Sequence, residues 1–361
     1  MKTRPCATSH RPLPSLHLAW RLFLLLICGV PGPVLAQPGP LAPRVLVITM
    51  FDGEAKPWLE PAGAAHPKLV REVRLPGLAP RYPVLHCTPD ATLCMATTDM
   101  GYANAASTTA ALVLSAELDL RRSYVIVAGI GGVDPAFGTL GSVHWARYVV
   151  DGGLTYALDP RQAPRDWPSG ILALGASRPG EKGWRTGTEL YRLDEALLQR
   201  AYALTRGVAL LDGEAARRYR ARYPAAPANA PPQVGICDTL SSDTYWHGSA
   251  LAAALATQVA VVSDGQARVC TTQMEDNATL AALARGAAAG RVDLRRVAVL
   301  RAGSNFDREA PGEDVAESLH AKSGGFVPAT TNAYRVADAL AQAILADWPH
   351  WRDGVPAQAG P

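Results

Sequence analysis

No two cysteines of this chain stand two residues apart, and none of its eight histidines has a second at helical metal-site spacing. Metal centres built on such pairs are therefore not expected. Beyond residue 36 no apolar run is long enough to cross a bilayer. The Ala-rich stretch "GSALAAALATQVAVV" (248–262) is too short and is flanked by strand and turn signals. No internal repeat is visible. The first 36 residues contain neither Asp nor Glu.

That acid-free segment carries Lys2, Arg4, Arg11 and Arg21 around the apolar run "LAWRLFLLLICGVPGPVLA", and ends in Val34-Leu35-Ala36. It reads as a secretory signal, residues 1–36, followed by a linker, 37–43. An exported, periplasmic or extracellular protein is the expectation. The whole chain has 35 basic and 32 acidic residues; removing the four basic ones leaves 31 against 32. The mature protein then has no basic excess, and nucleic-acid binding loses its electrostatic support. Of the six cysteines, Cys87, Cys94, Cys237 and Cys270 lie beyond the leader, an even set that an oxidising compartment permits to pair. Cys87 and Cys94 bracket the hairpin-like "TPDATL", and Cys237 and Cys270 lie in predicted strands. The expected bridges are 87–94 and 237–270.

Strand-like runs are predicted at 44–50, 82–87, 92–98, 123–129, 143–150, 170–174, 233–237, 267–273 and 297–302. Helical spacing marks 103–117, 194–206, 247–260, 278–289 and 332–347. The alternation predicts an α/β fold, one large domain (44–347) with a central mixed β-sheet flanked by helices. The proline-rich "ARYPAAPANAPP" (221–232) cannot be a regular element. It closes an insertion around 180–232, and residues 348–361 form a C-terminal tail.

Polar residues follow several predicted strands, where open α/β sheets bind ligands. "TMFDGEAKPW" offers Glu54 as a base or hydroxyl acceptor; the plainer reading is an acid in a helix's first turn. "VIVAGIGGVD" offers Gly129, Gly131 and Gly132, which permit close backbone approach and expose N–H groups. It is not a G-x-G-x-x-G fingerprint. "CDTLSSDTYWHG" offers Tyr245 and Trp246 as walls for a flat heterocycle, with His247 at a helix start. "TTQMEDNATL" sets Glu275 and Asp276 at a strand-to-helix junction. Asp276 or Asn277 is expected to cap that helix, which leaves Glu275 for a ligand. "LRAGSNFDREAPG" offers Asn305, Phe306 and Asp307 in a loop, where an Asn can read the edge of a 6-oxopurine.

The stretches "VITMFDGEAKPWL", "TTDMGYANAASTTAAL", "AGIGGVDP", "SDTYWHG", "TTQMEDNATL" and "RAGSNFDR" resemble the purine nucleoside permease family, from about residue 44 to about 347. The order of motifs is more distantly similar to the nucleoside phosphorylase and nucleosidase superfamily. The resemblance implies a nucleoside phosphorylase-like fold with a purine nucleoside site in the loops after the strands. It implies that Met274-Glu275 contacts the sugar, that Asn305, with Asp307 close by, contacts the purine, and that Glu54 activates water. The Arg and hydroxyl that hold phosphate in phosphorylases are replaced by Val127 and Ile130. Inorganic phosphate as co-substrate would then need another cation, such as Arg81 or Arg301. A homo-oligomer is implied by analogy.

The leading expectation is an exported nucleoside-binding protein implicated in nucleoside uptake. The alternative is an N-ribosyl hydrolase or phosphorylase that releases free base, with catalytic Glu54 and Asp307. A third reading is a non-catalytic scaffold. No organic cofactor is expected.

Overall fold

The computed structural model describes residues 39–61 and 68–357; the predicted leader lies outside them. A mixed sheet of twelve strands, counted among the described residues, organises the chain. Its backbone is the ten-residue strand Tyr124–Val133, which pairs in parallel with Val45–Thr49 and with Val297–Phe306. Val45–Thr49 in turn pairs in parallel with Leu93–Thr97, and an antiparallel hairpin, Val84–Cys87 and Arg71–Arg74, extends that edge. On the other side Val269–Gln273 crosses the end of Tyr124–Val133 antiparallel, then pairs in parallel with Asp238–Ser241.

Strand alternation sends side chains to two separate cores. Val45, Val47, Ile126 and Leu300 meet helices Phe326–Ala346 and Glu195–Thr205 through Val336, Leu340 and Leu197. Leu46, Ile48, Val125 and Val299 meet helices Tyr102–Leu114 and Asp276–Ala288 through Leu112, Leu280 and Leu283. The result is helix, sheet and helix in three layers, as the α/β reading requires. The short helix Trp348–Trp351 also joins the first core, where Trp351 is buried. Both expected disulfides form, Cys87–Cys94 between the adjacent antiparallel strands Val84–Cys87 and Leu93–Thr97, and Cys237–Cys270 between adjoining segments.

Three expectations are corrected. The run 143–150 is two strands, Val143–Trp145 and Tyr148–Asp151, because the chain changes pairing partners between them. Asp238 fixes that junction: its Oδ1 accepts the N–H groups of Arg147 (3.2 Å) and Tyr148 (2.8 Å). The strand starting at 297 does not end at 302 but continues to Phe306, so Asn305 and Phe306 lie in the sheet rather than in a loop. A register shift between Gly303 and Asn305 bends it there.

The third correction concerns the glycines. Gly129, Gly131 and Gly132 do not end a strand; they are inside it. A Cβ on Gly131 would sit 2.1 Å from the Thr272 carbonyl oxygen, and one on Gly132 would sit 2.6 Å from Thr272 Oγ1. They are glycines because Val269–Gln273 crosses there at close range. Gly131→Ala is therefore expected to destabilise the fold by more than about 2 kcal/mol in urea unfolding. Gly207, with nothing within 4 Å of its Cβ position, is the control, and Gly207→Ala should stay within about 0.5 kcal/mol. Equal effects would refute the crossing argument.

Candidate functional site

A cavity of about 380 Å³ opens where these strands end. That is within the roughly 300–1,000 Å³ usual for small-molecule sites. Several strands contribute to its wall: Met50, Phe51 and Glu54 after the first; Ile130, Gly131 and Gly132 from the central one; and Ser242 and Thr244 to His247 after Asp238–Ser241. Gln273, Met274 and Glu275 come from the crossing strand, and Arg301, Ser304, Asn305 and Phe306 from the last. The sequence-expected residues Glu54, Gly131, Gly132, Tyr245, Trp246, Met274, Glu275, Asn305 and Phe306 thus share one cavity. Gly129 lies just behind it, where a Cβ would meet Met50, Glu54 and Arg301.

At the deep end one guanidinium faces three carboxylates. Arg301 is 2% exposed. Its Nε donates to Asp276 Oδ2 at 3.0 Å, and its Nη2 donates to Asp276 Oδ1 at 2.5 Å and to Glu275 Oε2 at 3.1 Å. Nη1 donates to the Ile130 carbonyl at 2.8 Å and lies 3.9 Å from Glu54 Oε1. Glu54 sits in the first turn of helix Asp52–Leu59 and folds back to the sheet. Its two oxygens accept the Met50 N–H (2.8 Å) and the Ile130 N–H (2.7 Å). The glycine-segment amide of Ile130 is therefore spent on a carboxylate, not on a ligand. Burial raises the Glu54 pKa to about 7, against the opposing pull of Arg301 and with the help of Glu275. Burial also raises Glu275, opposed by Arg301.

Glu275 Oε1 accepts the Gly101 N–H at a long 3.3 Å, and Oε2 accepts the Met274 N–H at 3.2 Å together with Arg301. A carboxylate offers about four lone-pair sites. Three are used, which leaves one, and Glu275 lines the cavity. The expected helix cap is corrected here. Gln273 Oε1 accepts the N–H groups of Glu275 and Asp276, each at 2.8 Å, and Ser241 Oγ accepts that of Asn277 at 3.0 Å. Asp276 is no cap: it is fully buried as the partner of Arg301.

At the other end Asn305 projects from the strand bend. Its Oδ1 accepts from Ser304 Oγ at 2.9 Å, and its Nδ2 donates to the Phe306 carbonyl at 3.0 Å. The amide also donates to the Tyr245 hydroxyl, which leaves one lone pair over. Phe306 packs against Tyr223, ring centroids 4.0 Å apart, and stacks with Tyr219 at 6.4 Å. Tyr219 belongs to helix Glu214–Arg220, so that helix supplies part of the cavity wall.

Asp307 does not line the cavity. It is buried in a pair with Arg308, whose Nε and Nη2 reach its oxygens at 2.7 and 2.8 Å, and Arg308 also binds Asp134. Burial raises its pKa to about 6, with Arg308 pulling the other way. Its side chain is held by Arg308.

Sequence reading missed the wall residues Met100, which follows the strand Leu93–Thr97, and Ser318 and Phe326, which lie in segments without a strand-end signal. His247 also lines the cavity, with Nε2 3.0 Å from Ser318 Oγ. The sequence named Arg301 only as a substitute phosphate holder; the signal for its place in the site was its position near the end of the predicted strand 297–302, just before Asn305. Neither arginine named as a substitute phosphate holder is free. Arg301 is enclosed by carboxylates, and Arg81 is paired with Asp52 at 2.9 Å outside the cavity wall.

A mixed sheet whose strand ends surround a carboxylate-lined, aromatic-walled cavity defines a nucleosidase-fold α/β protein. Two solved structures share that architecture. Futalosine hydrolase of Helicobacter pylori superposes with a TM-score of 0.50 at 14% identity, covering 83% of this chain and 98% of that one. The 5'-methylthioadenosine/S-adenosylhomocysteine nucleosidase of Helicobacter pylori superposes at 0.50 with 13% identity, covering 84% and 99%. The chain belongs to the purine nucleoside permease family, whose model matches residues 42–356. A probable purine nucleoside permease of Schizosaccharomyces pombe is 33% identical over 342 residues, 91% of this chain and 97% of the relative. A purine nucleoside permease of Candida albicans is 36% identical over 293 residues, 80% of this chain and 71% of the relative.

Proposed function

We propose that this chain binds purine nucleosides in the cavity between Glu275 and Asn305 and serves nucleoside uptake outside the cytoplasm. The observation that carries the proposal is the Glu275 carboxylate, held by Arg301 and two amides with one acceptor site left towards the cavity. That site suits a ribose hydroxyl. The residual acceptor of Asn305, with the Tyr245 hydroxyl beside it, suits a purine edge, and the rings of Tyr245 and Trp246 suit its faces. Two disulfides support an oxidising location. No helix among the described residues is long and apolar enough to cross a membrane. Uptake would then use this chain as the component that captures the nucleoside. Calorimetry with inosine, guanosine, adenosine and uridine tests the reading. Heat with purine nucleosides and intact nucleoside recovered afterwards supports it. No heat with any of them refutes it.

Glu54 favours a second reading, cleavage of the N-glycosidic bond by water. Such cleavage builds positive charge on the ribosyl ring and negative charge on the leaving base. The anionic deep end would stabilise the first and Asn305 the second, while Glu54 would take a proton from water. With its pKa at about 7, Glu54 is protonated below that pH and acts as a base only above it. Any release of hypoxanthine from inosine should therefore rise as pH increases through about 7. It should also be independent of added phosphate, because the cavity's arginine is already neutralised. A rate that requires phosphate, or one that falls across this pH window, would overturn the hydrolytic reading.

A further inference from the structure

His144 is 7% exposed, and neither of its ring nitrogens has a hydrogen-bond partner among the described residues. The ring fits between two glycines. A Cβ on Gly138 would lie 2.7 Å from Nε2, and a Cβ on Gly235 would lie 3.0 Å from Nδ1. Burial depresses its pKa to about 4, so at neutral pH it presents one N–H donor and one bare nitrogen. A buried imidazole with both positions unmet is unfavourable, and an apolar ring of the same shape would not be. His144 lines a cavity of about 330 Å³ that shares no wall residue with the nucleoside cavity.

The rest of that wall specifies a ligand. Pro227, Pro231, Val234 and Ile236 are apolar. Arg268 is the one Lys or Arg of this wall, and no carboxylate pairs with its side chain among the described residues. Its guanidinium carbon stands 4.1 Å from the centroid of the Phe137 ring. Stacking fixes the guanidinium plane and leaves its edge N–H groups to meet an acceptor in that plane, the geometry a carboxylate matches with two bonds.

We propose that this cavity is a second binding site, for a small amphipathic carboxylate bearing a hydrogen-bonding group at its far end. The carboxylate meets Arg268, the apolar body lies along the prolines and Val234, and the far group meets His144.

Three probes separate the parts: 4-hydroxybenzoate, benzoate and 4-hydroxybenzamide, titrated calorimetrically into the mature protein. 4-Hydroxybenzoate should bind most tightly. Removing the hydroxyl or replacing the carboxylate by an amide should each weaken binding about tenfold. Arg268→Ala, a change at an exposed side chain, should abolish the preference for acid over amide. His144→Phe should abolish the preference for the hydroxylated acid, with Arg268→Ala as the independent readout if that variant folds poorly. Inosine binding should be unchanged in Arg268→Ala. No binding of 4-hydroxybenzoate by the wild type overturns the proposal, as does an acid preference that survives Arg268→Ala.

Discussion

Glu275→Ala is expected to weaken inosine binding by about 10- to 100-fold, the equivalent of one or two hydrogen bonds to a charged acceptor. Gly101, Met274 and Arg301 take three of the carboxylate's acceptor positions, which leaves one for the proposed ribose hydroxyl. Because the Gly101 contact is long, a second hydroxyl can displace it, which sets the upper end of the range. Glu275→Gln keeps the shape but exchanges an acceptor oxygen for a donor nitrogen, and should lose about tenfold. Arg301 retains Asp276 in both variants, so the fold should survive. Calorimetry measures the effect, with a thermal melt as the control for folding. An unchanged Kd for inosine in Glu275→Ala would place the ribose elsewhere and would revive the scaffold reading.

The same residue shows what the sequence can and cannot disclose. Its position after the strand Val269–Gln273 is legible because β-branched residues give way to polar ones there. The family motif around it supplied the sugar role. The strands of the sheet core were legible for the same reason: 44–50 and 92–98 are apolar runs of the kind that both-face burial demands. What escaped depends on contacts between distant segments. Nothing near Gly131 announces that Thr272 will cross within touching distance of it. Nothing near Asp276 announces that its partner stands at position 301, so a short polar side chain at a helix start was read as a cap. Gln273 could cap instead because its amide, one turn earlier, reaches both free N–H groups from within the strand. Asp307 stands apart from the cavity wall for the opposite reason. Its spacing from Asn305 was right for a site residue, but the strand runs on to Phe306 and the adjacent Arg308 captures it.

Arg301→Met is expected to cost about 3–5 kcal/mol of folding stability, the usual effect of removing one partner from a buried ionic cluster. Asp276, Glu275 and Glu54 are 0%, 4% and 4% exposed, and the arginine is the cation they share. The loss should depend on pH, and its sign follows from the carboxylates. Burial already lifts Glu54 to about 7 and raises Glu275, with Arg301 as the main opposing influence on each. Without the arginine their folded-state pKa values rise further above those of the unfolded chain. Between the two values the folded protein then holds more protons than the unfolded one, so stability falls as pH increases. The defect should therefore be largest at pH 8 and should shrink towards pH 5.5, where protonation relieves the uncompensated charge. Urea unfolding of wild type and variant at the two pH values measures this. Adding Asp276→Asn to Arg301→Met should recover part of the loss at pH 8, because it removes the most deeply buried of the orphaned charges. A defect of the same size at both pH values would mean that packing of the arginine stem, rather than its charge, holds this end of the cavity together.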